Sequence, residues 1–181
     1  MSFIEFNHKK YPACTAKGNA AQFIIPYAKH FCVGEGYDIG CAKPEWSLPG
    51  SIPVDITFNN NLDAYNLPDK KVDYIFSSHC LEHLEDWIYA LDYWISKLKI
   101  DGCILLYLPH YTQEYWRPWN NRKHYHAFTE QILHDYFKQH KDICKETLII
   151  TGPDLNFSFA VHAKKISDIH KPVKHKLYVN T

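Results

Sequence analysis

The sequence predicts an α/β fold built on a mostly parallel sheet with an antiparallel closing strand. Short apolar runs rich in β-branched and aromatic residues alternate with segments of helical periodicity, as in parallel strands joined by helices. The run Cys103–Leu108 (CILLYL) is apolar throughout, which is typical of a strand buried on both faces. Two last runs, 147–151 and 157–163, flank a Gly-Pro-Asp turn and indicate an antiparallel pair.

The composition indicates one ordinary globular domain. The 181 residues are 46% hydrophobic and carry 20 basic and 20 acidic side chains, enough apolar surface for a core and no net charge to attract nucleic acid or an anionic membrane. No segment is long enough to span a bilayer, and six scattered cysteines without a CxxC pair indicate neither disulfides nor structural zinc. We therefore expect a cytoplasmic protein with an N-terminal arm and helix (1–33), a core (34–163) and a basic tail (164–181).

The N-terminal segment predicts an arm, a helix and a first core strand. Residues 1–17 show no clear period and are interpreted as an ordered arm. Apolar residues recur at helical spacing over 18–32, where Pro26 forces a kink or a late start. Residues 36–40 (GYDIG) predict a short strand entering a tight turn, because glycine allows positive φ and a close backbone approach to a ligand.

Loops are expected where the next helices would stand. Residues 41–53 contain three prolines and a glycine, and no useful helix survives them. Residues 54–56 predict a second short strand that ends near an acid, and Asn59–Asn61 predict a turn. Residues 62–64 are a candidate third strand.

Residues 72–84 (VDYIFSSHCLEHL) predict a strand, a polar turn and the start of a helix. If that helix begins near His79, then His79, Glu82 and His83 share one face. We expect the helix to extend to about Lys99. Ligands of open α/β sheets bind beyond the carboxyl ends of the strands, so this turn is the expected functional site.

A long polar and aromatic connection, 111–126, follows the central strand, and Thr129 is the expected N-cap of a further helix. His79 and His110 each directly follow a predicted strand, which makes them the candidate catalytic bases. The connection combines flat aromatic faces with polar groups, a mixture that suits stacking on a sugar ring, stacking on a nucleic-acid base or a packed lid without a ligand. The candidate substrate residues are Tyr115, Trp116, Trp119, Arg122 and His126.

Five short motifs occur in order along the chain: residues 37–41 (YDIGC), Asp55, residues 63–68 (DAYNLP), residues 73–83 (DYIFSSHCLEH) and residues 98–102 (LKIDG). In this order they resemble the motifs of the class I S-adenosylmethionine-dependent methyltransferases, in particular the compact type with a Leu-Glu-His motif. The resemblance covers roughly residues 34–163. It implies a Rossmann-like class I methyltransferase fold, here with the helices after core strands 1 and 2 reduced to loops.

The resemblance also implies the cofactor S-adenosylmethionine and its contacts. Asp55 is expected to accept hydrogen bonds from the ribose diol, and Ser78 to face the cofactor from the turn. Asp63 and Ala64 would contact the adenine, and Asp38, Gly40 and Cys41 the methionine end. The chain departs from the family where residues 42–44 (AKP) replace its second motif glycine. Loss of two helices also leaves one sheet face under-covered, so we predict a homodimer built over that gap.

A divalent metal such as magnesium is a further expectation. Some relatives, namely ubiquinone-pathway O-methyltransferases and small-RNA 2′-O-methyltransferases, hold a metal with a Glu-x-x-Glu-His helix face, the latter adding a later histidine. By this resemblance Glu82 and His83 are metal ligands, with His124 or His126 as the later histidine. The alternative is that Glu82 and His83 only make structural hydrogen bonds.

The sequence therefore predicts a methyltransferase acting on oxygen, with a sugar or glycan hydroxyl as the acceptor. Two alternatives remain at this stage. One is a methyltransferase acting on another small molecule or on RNA, although charge neutrality makes nucleic acid an unfavoured partner. The other is a catalytically silent Rossmann-like binding module, which the altered glycine motif favours.

Overall fold

The computed structural model describes residues 2–58, 61–149 and 153–168. Its strands are β1 (Phe3–Phe6), β2 (Lys9–Pro12), β3 (Gly36–Ile39), β4 (Ile52–Val54), β5 (Val72–Ser78), β6 (Leu98–Pro109), β7 (Cys144–Ile149) and β8 (Ser158–Lys165). Its α-helices are α1 (Ile25–Phe31), α2 (Trp87–Ser96) and α3 (Glu130–Gln139).

Six strands form one mixed sheet in the order β4-β3-β5-β6-β8-β7. The pairs β3–β4, β3–β5 and β5–β6 are parallel, whereas β8 pairs antiparallel with both β6 and β7. The predicted α/β fold with a parallel core and an antiparallel closing strand is confirmed. The strand order reverses at β3, because the chain passes from β3 to β4 on one side and to β5 on the other, and such a point is where open α/β sheets bind ligands.

Both faces of the sheet are covered. Helices α2 and α3 pack on one face around Trp94, Leu133 and Phe137, all nearly inaccessible to solvent. On the other face, residues 20–31 cover Tyr74 and Phe76. The N-terminal segment therefore fills much of the face that the missing helices were expected to leave open.

The helices after β3 and β4 are reduced as expected. A single 3₁₀ turn, Pro44–Trp46, follows β3, and in the described part of residues 55–71 no helix follows β4. A second core strand is present, but it spans Ile52–Val54. Of the predicted residues 54–56 only Val54 belongs to it, and Asp55 lies just beyond its end. The candidate strand 62–64 is wrong, because Asp63 bridges to Asn66 and its carboxylate accepts from Tyr65 N at 2.7 Å, which closes a turn instead.

The helix predicted to run from His79 to Lys99 is shorter at both ends. His79 has φ +50°, a left-handed conformation that cannot start a right-handed helix. A 3₁₀ turn, Leu81–His83, follows, and α2 begins only at Trp87, where the Asp86 side chain accepts from Tyr89 N at 2.9 Å. At its other end α2 stops before β6.

The N-terminal arm is a β-hairpin that the sequence reading missed. Strands β1 and β2 pair antiparallel around a two-residue turn, Asn7-His8, in which both residues have positive φ. That geometry is favoured in two-residue hairpins because its twist matches the strands. The turn lacks the glycine that usually identifies a two-residue hairpin in a sequence, and so the hairpin was not predicted.

Some expectations fall outside the described residues. They are the turn at Asn59 and Asn60, the end of the predicted strand at Ile150 and Thr151, and the tail from residue 169 onwards. None of the helices in the described part of the chain has the length and apolarity needed to cross a membrane.

Candidate functional site

A cleft of about 390 Å³ opens beyond the carboxyl ends of β3, β4 and β5. This is the point where the strand order reverses. Five of the predicted site residues line it, namely Gly40, Asp55, Ala64, His79 and His83. The other lining residues are Gly18, Ile39, Ala42, Val54, Ile56, Thr57, Cys80, Leu84 and Lys123.

Gly40 closes the bottom of the cleft where no side chain fits. Its φ is +83°, and a Cβ there would lie 2.3 Å from the Cβ of Cys80. Two residues later, Ala42 adopts φ +61°, the conformation that glycine takes most easily. The altered motif therefore keeps the backbone shape of a glycine turn although it has lost the glycine itself.

Asp55 fixes the turn that follows β3. Its two carboxylate oxygens accept hydrogen bonds from Ala42 N at 2.8 Å and from Thr57 N at 3.0 Å. Each carboxylate oxygen has two lone pairs, so Asp55 can still accept from a diol in the cleft. Ala64 also lines the cleft, and its backbone carbonyl accepts from Trp94 Nε1 at 2.7 Å.

Four other predicted cofactor residues lie near the cleft without lining it. Asp38 and Cys41 are buried, and burial raises the pKa of Asp38 to about 7 and that of Cys41 to about 12. Asp38 Oδ2 accepts from Leu48 N at 2.6 Å. Ser78 Oγ is buried and has no hydrogen-bond partner among the described residues. Asp63 instead caps its own turn.

The tautomer of His79 follows from its neighbours. Ser158 Oγ donates to the carbonyl of Asn156 at 3.2 Å, so at 2.9 Å it is left to accept from His79 Nε2. The lone pair of His79 is then on Nδ1, which lies 3.9 Å from Glu82 Oε1. Burial, with His124 and His83 nearby, lowers the pKa of His79 to about 3, so the ring is neutral at pH 7.

Glu82, His83 and His124 form a cluster, hereafter the Glu-His cluster, whose ligand atoms all lie within 4.8 Å of one another. Glu82 is fully buried, and in the described structure neither of its carboxylate oxygens has a hydrogen-bond partner. Burial accordingly raises its pKa to about 7. Burying a carboxylate without a hydrogen-bond partner or counter-charge costs free energy. The groups around Glu82 indicate what could offset this cost.

The nitrogens of the cluster point lone pairs at the carboxylate. His83 Nδ1 lies 2.8 Å from the Lys123 carbonyl and must donate to it, so the lone pair of this ring is on Nε2, 3.9 Å from Glu82 Oε1. The His124 ring hydrogen-bonds to the Trp116 backbone, and its buried Nδ1 has no hydrogen-bond partner among residues 2–58, 61–149 and 153–168. Lone pairs facing a carboxylate are the donor arrangement that a cation requires.

Two predicted histidines lie elsewhere. His126 Nε2 is 3.0 Å from the carbonyl of Leu84 and 3.1 Å from that of Glu85. His126 therefore links the connection to the turn after β5. The histidine that lies in the Glu-His cluster is His124. His110 Nε2 lies 2.9 Å from Glu130 Oε2, and this histidine is outside the lining of the cleft.

The aromatic connection divides into a packed part and an exposed part. Tyr115 packs on Phe6 and Tyr11 of the N-terminal hairpin, with ring centroids 5.6 and 6.4 Å away. Trp116 stacks on His124 at 5.2 Å. These two residues are therefore largely structural, which favours the lid interpretation for this half.

The exposed half presents a cationic aromatic surface. The guanidinium of Arg117 lies 4.2 Å from the ring centroid of Tyr111 and 5.7 Å from that of Trp119. Trp119 is 65% exposed, and Arg122 is also exposed. Tyr111 and Arg117 were not among the predicted substrate residues, although both lie in the connection that was expected to hold them.

Other functional candidates were missed because they carry no motif. Cys80 shapes the floor of the cleft against Gly40, and Ile56 and Thr57 form its rim after β4. Ile56 is 84% exposed, which is unusual for isoleucine. Because residues 54–56 were predicted to form a strand, Ile56 was not recognised as a candidate. Thr57 could have been found from its spacing, since Asx-type bonds commonly reach two residues onward.

Comparison with known proteins agrees with this arrangement. A family model described as a methyltransferase domain matches residues 13–140. A search of curated proteins by sequence finds no match.

Solved structures share the fold at low sequence identity. The N-methyltransferase NodS from Bradyrhizobium japonicum, in complex with S-adenosyl-L-homocysteine, superposes with a TM-score of 0.59 at 14% identity, over 86% of this chain and 88% of NodS. A Haloferax volcanii chain from a complex with the Trm112 methyltransferase activator gives 0.58 at 12% identity, over 87% and 97%. YcgJ from Bacillus subtilis gives 0.55 at 15% identity, over 83% and 98%.

The family match spans more than half of the chain and includes β3, β5 and the cleft between them. The sheet order and the solved structures agree with that assignment. The chain belongs to the class I S-adenosylmethionine-dependent methyltransferases.

Proposed function

We propose that this chain binds S-adenosylmethionine in the cleft at β3–β5 and transfers its methyl group to an oxygen, with a sugar or glycan hydroxyl as the acceptor. The observation that carries the proposal is the meeting of Gly40, Asp55 and neutral His79 on one cleft. It combines a close backbone approach, a diol acceptor and a proton acceptor. In the proposed reaction Gly40 and Asp55 bind the cofactor and His79 accepts the proton.

The cleft fits the cofactor. Gly40 leaves room where a Cβ would strike Cys80, the Asp55 carboxylate keeps lone pairs for a ribose diol, and the unpartnered Ser78 Oγ lies next to His79. S-adenosylmethionine supplies a methyl group on a positively charged sulfur when it is bound. The protein must then mainly align the acceptor oxygen with that methyl group and remove its proton.

His79 is the proposed proton acceptor. Because burial lowers its pKa to about 3, it would take the proton only as methyl transfer makes the acceptor oxygen acidic, with Glu82 Oε1 lying 3.9 Å from its Nδ1. Ser158 accepts from His79 Nε2–H, which leaves His79 Nδ1 unprotonated. The His79 backbone is left-handed, a conformation that is uncommon for residues other than glycine and that occurs often at functional sites. His110, tied to Glu130, is the weaker candidate and would act only if the acceptor reaches beyond the cleft.

The acceptor proposal rests on the exposed half of the connection. Trp119 and Tyr111 offer aromatic faces, and Arg117 and Arg122 offer donors, a pairing that suits a sugar ring and its hydroxyls. The same surface suits a nucleotide base, so another small molecule or RNA remains the within-class alternative.

Calorimetry with S-adenosylhomocysteine tests the cofactor site. We expect binding by the wild-type chain and a loss of about tenfold or more in Asp55→Asn, because hydrogen bonds to a charged group contribute roughly 1.5–3 kcal/mol. Asp69→Asn is the matched control, since its side chain is fully exposed near Lys97. Absence of binding at high micromolar ligand would instead support the silent module.

Transfer of a labelled methyl group to panels of glycans, nucleotide sugars, small hydroxy compounds and RNA tests the acceptor. In His79→Gln we expect kcat to fall by 10² or more with little change in cofactor affinity, whereas His134→Gln, at an exposed position of α3, should leave both unchanged. Product found only with RNA or only with amines would overturn the sugar hydroxyl proposal.

A divalent cation in the Glu-His cluster is a second proposal for this site, carried by the unpartnered Glu82 carboxylate and the inward lone pairs of His83 and His124. Glu82, His83 and His124 would hold it, and the Lys123 carbonyl orients His83 as outer groups commonly do. One carboxylate with imidazoles suits zinc, iron or manganese better than magnesium, which prefers oxygen ligands. A metal there would lower the pKa of a bound hydroxyl.

Metal content by mass spectrometry after dialysis against each cation tests the cluster. We expect stoichiometric loading of the wild-type chain, loss in His124→Ala, and retention in His126→Ala, because His126 is bonded to backbone carbonyls instead. Equal loading of both variants, or none of the wild type, would contradict the site.

The predicted homodimer remains a proposal on a narrower basis. Residues 20–31 already cover one sheet face, which leaves the rim around exposed Ile56 as the apolar surface near the missing helices. Light scattering at micromolar concentration decides it, and a monodisperse monomer would refute the dimer.

A further inference from the structure

Residues 154–158, hereafter the Asp154 loop, lead into β8 and contact His79 without lining the cofactor cleft. The side chain of Asp154 closes the loop, because its Oδ1 accepts from Asn156 N at 2.8 Å and from Ser158 N at 3.0 Å. Two backbone bonds complete it, from Asp154 N to Ser158 O at 2.7 Å and from Phe157 N to Asp154 O at 3.0 Å. The position of Ser158 therefore depends on Asp154.

The Asp154 loop is anchored on the sheet and holds one strained residue. The second carboxylate oxygen, Asp154 Oδ2, accepts from the hydroxyl of Tyr107 at 2.5 Å, and Tyr107 is a buried residue of β6. Burial and the Asp154 carboxylate raise the pKa of Tyr107, so the tyrosine stays protonated as the donor. Phe157 has φ +56°, a conformation that persists in a residue with a side chain only where the surrounding contacts enforce it.

The loop determines which way the Ser158 hydroxyl points. The Asn156 carbonyl accepts from Ser158 Oγ at 3.2 Å and from Gln113 Nε2 at 3.2 Å. All three residues are buried. Since the hydroxyl has one proton and donates it to Asn156, it presents only lone pairs to His79 Nε2, which lies 2.9 Å away.

This orientation matters because the Glu82 carboxylate favours the opposite tautomer of His79. Glu82 Oε1 lies 3.9 Å from His79 Nδ1, and a carboxylate attracts an N–H donor. If the Ser158 hydroxyl were free to rotate, it would donate to Nε2, and the ring proton would move to Nδ1. His79 would then have no lone pair on the nitrogen proposed to accept the proton of the substrate, although its net charge would be unchanged.

We propose that Asp154 is a positioning residue of the methyl transfer, because it holds the Asn156 carbonyl that orients Ser158 and thereby keeps the ring proton of His79 on Nε2. This inference rests on the proposed role of His79 as the proton acceptor. The Gln113 bond ties the same carbonyl to the connection that is proposed to hold the acceptor. The alternative is an aspartate that only closes its own turn, and the tautomer of His79 distinguishes the two.

Nitrogen-15 NMR of the histidine rings tests the proposal in the full chain without any substrate. Two-bond proton–nitrogen spectra at pH 7 distinguish a ring nitrogen that carries a proton from one that does not, and the His79 signals are assigned by their loss in His79→Gln. We expect the wild type to show a protonated Nε2, and Asp154→Ala to show both tautomers. Asp154→Asn should restore the wild-type pattern, since its amide oxygen can still accept from both N–H groups of the loop.

Asp86→Ala is the matched control, because Asp86 also closes a turn by accepting a backbone N–H, at the start of α2 rather than beside His79. It should melt at a lower temperature and keep the wild-type His79 spectrum. Ser158→Ala removes the hydroxyl but leaves the backbone bonds of the loop, so it should show both tautomers even if Asp154→Ala does not fold. The wild-type spectrum in either folded variant, or a wild type with its proton on Nδ1, would overturn the proposal.

Methyl transfer gives a separate readout. In Asp154→Ala we expect kcat to fall at least tenfold while the Kd for S-adenosylhomocysteine stays within twofold of wild type, and Asp154→Asn should recover most of the rate. A wild type that transfers no methyl group would refute the proposed function, whereas the His79 spectra would still decide whether Asp154 sets the tautomer. Wild-type turnover by Asp154→Ala would overturn its positioning role.

Discussion

Ala42 gives a sharp test of how this chain compensates for its altered glycine motif. It has φ +61°, and an L-residue with a Cβ pays roughly 1–2 kcal/mol relative to glycine in that region. Ala42→Gly removes this cost. It also adds freedom to the unfolded chain, which offsets about 0.4–1 kcal/mol. We therefore expect a net gain in the free energy of unfolding of about 1 kcal/mol.

Urea denaturation followed by tryptophan fluorescence measures the gain, and thermal melting should show a rise of about 2–4 °C for a chain of this size. Ala13→Gly is the control, because Ala13 does not have positive φ and its backbone N–H bond to Ser2 O survives the change. That control should lose about 0.4–1 kcal/mol. Because the Asp55 contact comes from the backbone of residue 42, affinity for S-adenosylhomocysteine should be preserved or improved.

A loss of stability in Ala42→Gly equal to that in Ala13→Gly would refute the reasoning. It would mean that the left-handed conformation at residue 42 is absent in solution. The turn would then differ from a glycine turn, and the cleft described around it would have to be revised.

Three further predictions concern the cleft and its supports. Gly40→Ala should abolish binding of S-adenosylhomocysteine in calorimetry, since its Cβ would meet Cys80 at 2.3 Å, and binding within twofold of wild type would contradict this. Burial raises the pKa of Asp38 from 3.8 to about 7, so the stability it contributes is full below about pH 3.8 and is lost as the pH rises through 7. In Asp38→Asn the decrease in unfolding free energy between pH 5 and pH 8 should shrink by roughly 2–3 kcal/mol in urea titrations. Trp94→Phe should lower the free energy of unfolding by about 1–3 kcal/mol, because the buried carbonyl of Ala64 loses the indole N–H that donates to it at 2.7 Å. An unchanged denaturation midpoint would show that water replaces this hydrogen bond.

The parts of the fold that could be predicted are those that depend on residues adjacent in the sequence. The run Cys103–Leu108 is apolar because β6 is buried on both faces, and three prolines in residues 41–53 exclude a helix wherever the rest of the chain lies. The turn at His79 could not be predicted in the same way. Its helical spacing is real, but the chain leaves β5 in a left-handed conformation and uses Asp86 as the later cap.

The candidate site shows the same division. Asp55 and Gly40 follow their strands directly, and so the strand ends predicted their positions. His124 and His126 are two residues apart in a part of the connection that forms no helix or strand, and spacing gives no means of choosing between them. The choice depends on long-range contacts: His126 reaches the carbonyls of Leu84 and Glu85, which turns His124 toward Glu82.

The backbone carbonyl of Glu82 has a consequence for kinetics. It accepts from Tyr125 N at 2.8 Å and from His126 N at 3.3 Å, so the turn that borders the cleft and the connection proposed to hold the acceptor share hydrogen bonds. Ordering one wall then lowers the entropy that the other wall must lose on binding. Initial-rate measurements should accordingly show synergistic binding of the two substrates, with each lowering the dissociation constant of the other by the same factor.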